Sequence, residues 1–156
     1  MSAGALDEAK APVGARLIVI DTNIVLDAFV FSDPAALPLR AGLEDGALQW
    51  IATAAMREEL ARVLDYRQIV PRLAYYGLGA ADVLAAFDRL ARLQPEAVRA
   101  PYACKDPDDQ KFIDLAVAHR SLLLSKDRAV LCMKKRLLAL GVRASKAIEN
   151  EVDSVR

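Results

Sequence analysis

Two acidic residues follow short apolar runs in the sequence. Asp21 comes directly after LIVI (17–20), and Asp127 comes shortly after LLL (122–124). Apolar runs of this kind, bounded by polar residues, predict buried strands. In open α/β sheets, ligands bind beyond the carboxyl ends of the strands. Carboxylates placed after two such strands are therefore candidates for a binding or catalytic site.

Two further acids lie toward the apolar side of predicted helices. In TAAMREELARVLDY (53–66), Glu59 falls on the edge of the apolar stripe, roughly 60° from Met56 on a helical wheel. Asp106 followed by proline predicts the start of another helix. Asp109 then falls in its first turn, on the buried face. Both acids are thus expected to point inward.

Carboxylates gathered closely repel one another unless a cation compensates them. Oxygen ligands without a His or Cys cluster suit Mg²⁺ or Mn²⁺ and not zinc. Each acid alone also has an ordinary explanation, such as hydrogen bonds to loop amides or a place at a helix N-terminus. Taken together, the acids predict a divalent-metal site made by Asp21, Glu59, Asp109 and Asp127.

Strands and helices alternate along the chain, and this alternation predicts the fold that would position the acids. We expect an α/β fold, a three-layer α/β/α sandwich with a mainly parallel central sheet of four to five strands. The insertion at 67–100 is predicted to be helical, without a strand. Strands are predicted at 16–20, 48–52, 121–125 and 142–144, and helices at about 23–31, 34–45, 53–66, 79–93, 107–120 and 127–140.

The bulk properties are typical of one globular domain. The chain has 156 residues, of which 54% are hydrophobic, so a full-sized core is expected. The domain is predicted at 16–146, with a flexible N-terminal tail at 1–15 and a C-terminal tail at 147–156. The 21 basic and 21 acidic residues give no net charge. This balance argues against binding to nucleic acid by bulk charge, but it leaves a local basic patch possible.

Localisation is predicted from what the sequence lacks. Cys104 and Cys132 have neither metal-ligand spacing nor a disulfide framework, which is typical of reduced thiols in a cytoplasmic protein. No apolar run approaches the ~20 residues that span a bilayer. The N-terminus has no apolar signal-peptide core. We therefore expect a cytoplasmic protein that does not associate with membranes.

In order and spacing, four segments resemble the PIN-domain ribonucleases. More narrowly, the chain is similar to the branch whose members are toxins of bacterial toxin–antitoxin systems. The likeness covers about 16–145. It implies a parallel α/β/α sandwich whose acids gather in one cleft and bind Mg²⁺ or Mn²⁺. The segments are VIDTN, TAAMREELARVL, DPDDQKFIDLAVAH and LLLSKD.

The resemblance also implies roles for individual residues. Asn23 would orient Asp21 or its loop, while Thr53 and Ser125 would support the metal site. Lys126 and Arg128 flank the last acid and are the better candidates for binding RNA phosphates. The catalytic residues, which would also be the metal ligands, are Asp21, Glu59, Asp109 and Asp127.

The function implied by this resemblance is metal-dependent endoribonuclease activity on single-stranded RNA. Its partners would be a cognate antitoxin protein and a second copy of the chain. Many relatives carry another acid two residues after the last one, whereas this chain has Ala129 there. That departure favours an alternative, a PIN-like module that binds RNA or a protein without cutting.

Two other protein classes share features with this chain, one an aspartate after the first strand and the other an acidic pocket with a strand-end lysine. Haloacid-dehalogenase-type phosphoryl transferases need a second aspartate two residues later, where this chain has Asn23. Phospho-acceptor receiver domains use a strand-end lysine, for which Lys126 is suitable, but they need paired acids before the first helix. The only early pair is Asp7 and Glu8. Both classes are disfavoured.

Aromatic residues and the single histidine offer weaker signals. Trp50 lies in a predicted strand and is expected to pack in the core, and His119 is expected to pack at a helix end. Tyr75 and Tyr76 lie in the helical insertion, where both packing and stacking on RNA bases are open.

Overall fold

The computed structural model describes residues 14–148 of the 156-residue chain. The two predicted tails, 1–15 and 147–156, therefore lie outside the described residues except at their inner ends. Inside the described range, no helix combines the length and the apolar character needed to cross a membrane.

The central sheet has five parallel strands in the order β3-β2-β1-β4-β5. Strand β1 is central, and Ile18 pairs with Trp50 of β2 on one side and with Leu122 of β4 on the other. Ile18 and Val19 are fully buried, as expected of a parallel strand covered on both faces. The strands are Arg16–Ile20 (β1), Leu48–Ala52 (β2), Ala91–Leu93 (β3), Leu122–Leu124 (β4) and Arg143–Ser145 (β5).

Eight α-helices connect these strands within the described residues. The sheet grows outward from β1 in both directions, through β2 and β3 on one side and β4 and β5 on the other. Because parallel crossovers are right-handed, this order places helices on both faces of the sheet, which confirms the predicted α/β fold class. The helices are Thr22–Phe29 (α1), Leu37–Asp45 (α2), Ala54–Leu64 (α3), Val70–Tyr75 (α4), Ala80–Leu90 (α5), Gln110–His119 (α6), Arg128–Leu131 (α7) and Lys134–Ala139 (α8), with 3₁₀ turns at Pro34–Ala36 and Pro107–Asp109.

The core on the β2 side is built around one aromatic stack. The Trp50 ring lies 6.0 Å from the Phe29 ring and 4.9 Å from the Phe87 ring, measured between centroids. Only 2% of Trp50 is exposed. Its predicted packing role is confirmed, and the stack joins α1, β2 and α5 into one unit.

The insertion at 67–100 contains a strand that the sequence prediction missed. The predicted helix 79–93 ends at Leu90, and Ala91–Leu93 pairs in parallel with β2. The Gln49 side chain supports the junction, because its Nε2 donates to the Leu90 carbonyl at 3.1 Å and its Oε1 accepts from Arg92 Nε at 3.0 Å. The periodicity of the local sequence predicts that the helix continues through these residues. They form an edge strand only because they pair with β2, which lies about 40 residues earlier in the chain.

The predicted helix 127–140 is wrong in a similar way, because it is two helices. Helix α7 ends at Leu131 and α8 begins at Lys134. Between them the chain turns at Met133, which is 1% exposed. No glycine or proline marks this break; the turn buries the methionine in the core, which is a tertiary effect.

Candidate metal centre

The carboxyl ends of the two central strands bring Asp21 and Asp127 together. The Asp21 N–H donates to the Leu124 carbonyl at 2.9 Å, so the ends of β1 and β4 are tied side by side. Asp21 is the N-cap of α1, yet its carboxylate accepts no capping bond from that helix. Asp127 is the N-cap of α7 and accepts from the Ala129 N–H at 2.9 Å.

Asp109 reaches the same place from the start of α6. Asp106 caps the 3₁₀ turn Pro107–Asp109 by accepting from the Asp108 N–H at 3.0 Å. This turn directs Asp108 to solvent and leaves Asp109 only 7% exposed. The Asp-Pro start signal in the sequence therefore sets which of the two neighbouring acids points inward.

Three of the predicted acids converge. One carboxylate oxygen from each of Asp21, Asp109 and Asp127 lies within 4.8 Å of the other two. Asp21 and Asp109 are buried and Asp127 is half-buried. Acidic residues this close need a compensating positive charge or a shared proton.

Ser125 holds two of these acids in place. Its hydroxyl donates to Asp21 Oδ2 at 2.6 Å and accepts from the Asp127 N–H at 3.0 Å. The serine itself is 1% exposed. A buried hydroxyl that bridges two carboxylate residues fixes their relative positions.

Asp109 is the uncompensated member of the cluster. Burial, followed by the adjacent Asp127 carboxyl and the charge of Asp21, raises the pKa of Asp109 to about 8. The protonated Asp109 and the Ala129 N–H together lower the pKa of Asp127. Asp109 Oδ2 is buried and has no hydrogen-bond partner. A buried polar atom of this kind is costly unless a ligand satisfies it.

The pKa of Asp21 is raised as well. Burial raises its pKa, the Ser125 hydrogen bond opposes that rise, and the charge of Glu59 adds to it. The net result is a raised pKa for a carboxyl that also lies beside two other acids. The cluster therefore favours any cation that can enter it.

Glu59 lies next to this cluster but has its own partners. Thr53 caps α3, the helix that carries Glu59, by accepting from the Met56 N–H at 3.4 Å. Glu59 Oε2 accepts from the Thr22 hydroxyl at 2.6 Å, and Oε1 lies 2.5 Å from Lys111 Nζ. The structure thus places Glu59 beside the three converging acids and not among them, and its role as a metal ligand stays a prediction.

The remaining predicted residues surround the cluster. Asn23 is exposed, and within residues 14–148 its side chain makes no hydrogen bond to Asp21. Lys126 Nζ lies 2.7 Å from Asp27 Oδ2. Arg128 is exposed and forms no ion pair in the part of the chain that is described. The orienting role of Asn23 and the RNA-binding roles of Lys126 and Arg128 stay predictions.

Sequence reasoning missed three contacts. Thr22 follows Asp21 directly, but its bond to Glu59 spans 37 positions and has no local signal. The ion pair between Lys111 and Glu59 also joins distant parts of the chain and has no local signal. Asp27 could have been found, because it is an acid among the buried residues of α1.

The donor set fits a hard divalent cation. All of the converging ligands are carboxylate oxygens, and Asp109, one of the three residues, has a buried oxygen without a hydrogen-bond partner. Mg²⁺ and Mn²⁺ prefer such oxygen ligands. Fold and site together define a parallel α/β protein with an acidic, cation-compatible centre at the carboxyl ends of β1 and β4.

Comparison with known proteins identifies the family. A family model described as PIN domain matches residues 17–129, well over half of the chain. The chain therefore belongs to the PIN-domain family, whose members are generally nucleases that use divalent metals. No curated protein matches the chain.

Proposed function

We propose that this PIN-domain protein is a Mg²⁺- or Mn²⁺-dependent endoribonuclease that hydrolyses phosphodiester bonds of single-stranded RNA. The observation that supports it most is the convergence of Asp21, Asp109 and Asp127, with one buried carboxylate oxygen left without a partner. Membership of a family of nucleases supports the reaction class.

The three converging acids would hold the cation. A bound divalent ion lowers the pKa of water and stabilises negative charge on a phosphate. No side-chain nucleophile is required for this chemistry. The acids serve as ligands, and none of them has to attack the substrate.

The protein's own residues prepare this site. Ser125 fixes Asp21 and Asp127 at one separation. Asp109, with a pKa of about 8, gives up its proton to solvent when its carboxylate becomes a ligand. The N–H of Ala129 keeps one oxygen of Asp127 directed toward the start of α7.

Basic residues beside the acids would bind the RNA backbone. Arg128 is exposed and follows Asp127 directly, so it can contact a phosphate at the cleft. Lys126 is tied to Asp27 but is 47% exposed, and it can add positive charge there. Because the chain has no net charge, binding has to depend on such local groups.

The biological role is proposed from the resemblance of the four sequence segments. We propose a cytoplasmic toxin of a bacterial toxin–antitoxin pair, with an antitoxin protein and a second copy of the chain as partners. The exposed apolar side chains of α4 and its flanks support a protein partner. These are Tyr66, Val70, Tyr75 and Tyr76. Light scattering of the purified chain, alone and mixed with the product of an adjacent gene, tests these assemblies.

RNA cleavage by purified protein tests the activity. Wild type is expected to cut an unstructured RNA oligonucleotide when Mn²⁺ is present and to stop when EDTA is added. Asp21→Asn removes one ligand and is expected to abolish cleavage, whereas Asp108→Asn, an exposed neighbouring acid, retains it. Undiminished cleavage by folded Asp21→Asn removes Asp21 from the mechanism.

A second candidate function is favoured by Ala129. The position that carries an acid in many relatives has only a methyl side chain here. A PIN-like module that binds RNA or a protein without hydrolysis is therefore the alternative. Mn²⁺ binding by calorimetry together with no RNA turnover would support this alternative.

A further inference from the structure

The region of the converging acids together with Glu59 and Lys111, here called the cleft, has two halves with different electrostatics. One half holds the three converging acids, which a serine hydroxyl and backbone N–H groups support and which have no ammonium or guanidinium partner among the described residues. The other half holds Glu59 and Lys111. Among the described residues, the three acids form the only cluster of three or more potential ligands within reach of one ion.

Each carboxylate oxygen of Glu59 already has a partner in the fold. Lys111 Nζ lies 2.5 Å from Oε1, and the Thr22 hydroxyl donates to Oε2 at 2.6 Å. Each oxygen keeps a free lone pair, but the ammonium beside Oε1 offsets the negative charge of Glu59 and so weakens its attraction for a metal ion.

Lys111 is held in place by more than Glu59. Its Nζ also donates to the Asp108 carbonyl at 2.6 Å and lies 5.0 Å from the centroid of the Phe112 ring. The side chain is 25% exposed. An ammonium with three such contacts is a fixed charge of the cleft and not a mobile surface lysine.

The position two residues after Asp127 has no side chain that could bind a metal ion. Ala129 lies two positions after Asp127, on the first turn of α7, and contributes a backbone N–H to Asp127 in place of a carboxylate. Among the described residues there is no second group of three converging ligands, and the Glu59 carboxylate beside the first group is paired with Lys111.

We propose that the Lys111 ammonium takes the place of a second divalent cation, so that the centre binds a single metal ion. Lys111 offsets the charge of Glu59 through their ion pair, while Asp21, Asp109 and Asp127 receive the one exchangeable ion. This inference rests on the proposed function, because it specifies how many cations the nuclease uses. It makes Lys111 a positioning residue, and Glu59 is not a ligand in the wild-type chain.

Counting bound Mn²⁺ on the full chain tests the proposal without any activity measurement. Calorimetric titration, supported by electron paramagnetic resonance of free Mn²⁺, is expected to give one ion per chain for wild type. Lys111→Met frees Glu59 beside Asp21 and is expected to raise the count to two. The double variant Lys111→Met/Glu59→Gln returns the count to one, and Lys135→Met, an exposed lysine of α8, leaves it unchanged.

Two results would overturn this inference while leaving the nuclease proposal intact: two ions on wild type, or one ion on folded Lys111→Met. Circular dichroism checks that this variant is folded. If Lys111→Met is not folded, Glu59→Gln decides the question. This variant retains one bound ion if Glu59 is not a ligand, and it loses the ion if Glu59 is a ligand. No saturable binding by wild type would instead contradict the metal centre itself, and with it the proposed function.

Discussion

Two aspartates in this protein are almost equally buried but differ in their partners. Asp27 on α1 is 8% exposed and Asp109 before α6 is 7% exposed. Asp27 Oδ2 lies 2.7 Å from Lys126 Nζ. Asp109 lies beside two other acids, and its Oδ2 has no partner.

The difference separates a structural acid from a ligand-binding one. A buried carboxylate with an ammonium partner is compensated inside the fold. A buried carboxylate among other carboxylates is compensated only by a proton or an added cation. The pKa of Asp109, raised to about 8, shows that without a cation the proton is retained near neutral pH. Burial of a carboxylate is thus a weak indication of function, whereas burial without a positively charged partner is a strong one.

The largest effect is expected for Asp109→Asn. The amide keeps the shape but loses the anionic ligand, so Mn²⁺ affinity and RNA cleavage should each fall at least about 100-fold, more than loss of an outer-sphere contact costs. Calorimetry and a cleavage assay measure the two losses. Asp108→Asn is the matched control, since that acid is exposed on the same turn. Equal behaviour of the two variants would remove Asp109 from the site.

Ser125→Ala should have the next largest effect. Removing the hydroxyl leaves the three ligands in place but frees Asp21 and the Asp127 loop from each other. Such supporting contacts are worth roughly 10- to 100-fold in metal affinity. Ser121→Ala is the control, because Ser121 is also buried but its hydroxyl donates to the Leu122 carbonyl at the other end of β4. If both serines matter equally to Mn²⁺ affinity, the bridging role is wrong.

The stability of the metal-free protein should depend on pH through Asp109. Its pKa is about 8 in the folded chain, above the ordinary value of about 4 in the unfolded chain. The folded state therefore binds the extra proton between these values, and the free energy of unfolding falls as the pH rises from about 4 to about 8.

Urea unfolding in EDTA across this pH range measures the loss. Asp109→Asn should remove much of the slope and stabilise the metal-free protein at pH 8 by roughly 1–3 kcal/mol. Asp108→Asn should follow wild type. If the free energy of unfolding of Asp109→Asn depends on pH as steeply as that of wild type, a group other than Asp109 causes the dependence.

The smallest effect is expected at the paired aspartate. Asp27→Asn weakens the contact with Lys126, which is 47% exposed, so the free energy of unfolding should fall by about 1 kcal/mol. Mn²⁺ affinity should change little, because Asp27 is not among the converging acids. Thermal unfolding and calorimetry of the same sample check both parts. A loss of Mn²⁺ binding comparable to that of Asp109→Asn would end the distinction between the two aspartates.

The sequence predicted the parts of the site that local signals encode. Asp21 and Asp127 follow apolar strands, and Asp109 follows an Asp-Pro helix start, so each could be placed from its own neighbourhood. The Glu59–Lys111 pair could not, because it joins α3 to α6 and depends on how two distant helices pack.

The same limit explains the errors in the fold. The order of strands and helices could be predicted from apolar runs and turn residues. Strand β3 could not, because its three residues continue the apolar pattern of α5 and become a strand only by pairing with β2. The turn at Met133 likewise depends on burial of that side chain and not on a helix-breaking residue.

The proton released when Mn²⁺ binds tests the central claim most directly. Calorimetric titrations at pH 7 in buffers of different ionisation enthalpy give the number of protons displaced per ion. Because Asp109 is protonated below about pH 8 and must lose its proton to become a ligand, we predict saturable binding with release of about one proton. Absence of saturable binding, or the same proton release from Asp109→Asn, would contradict the account.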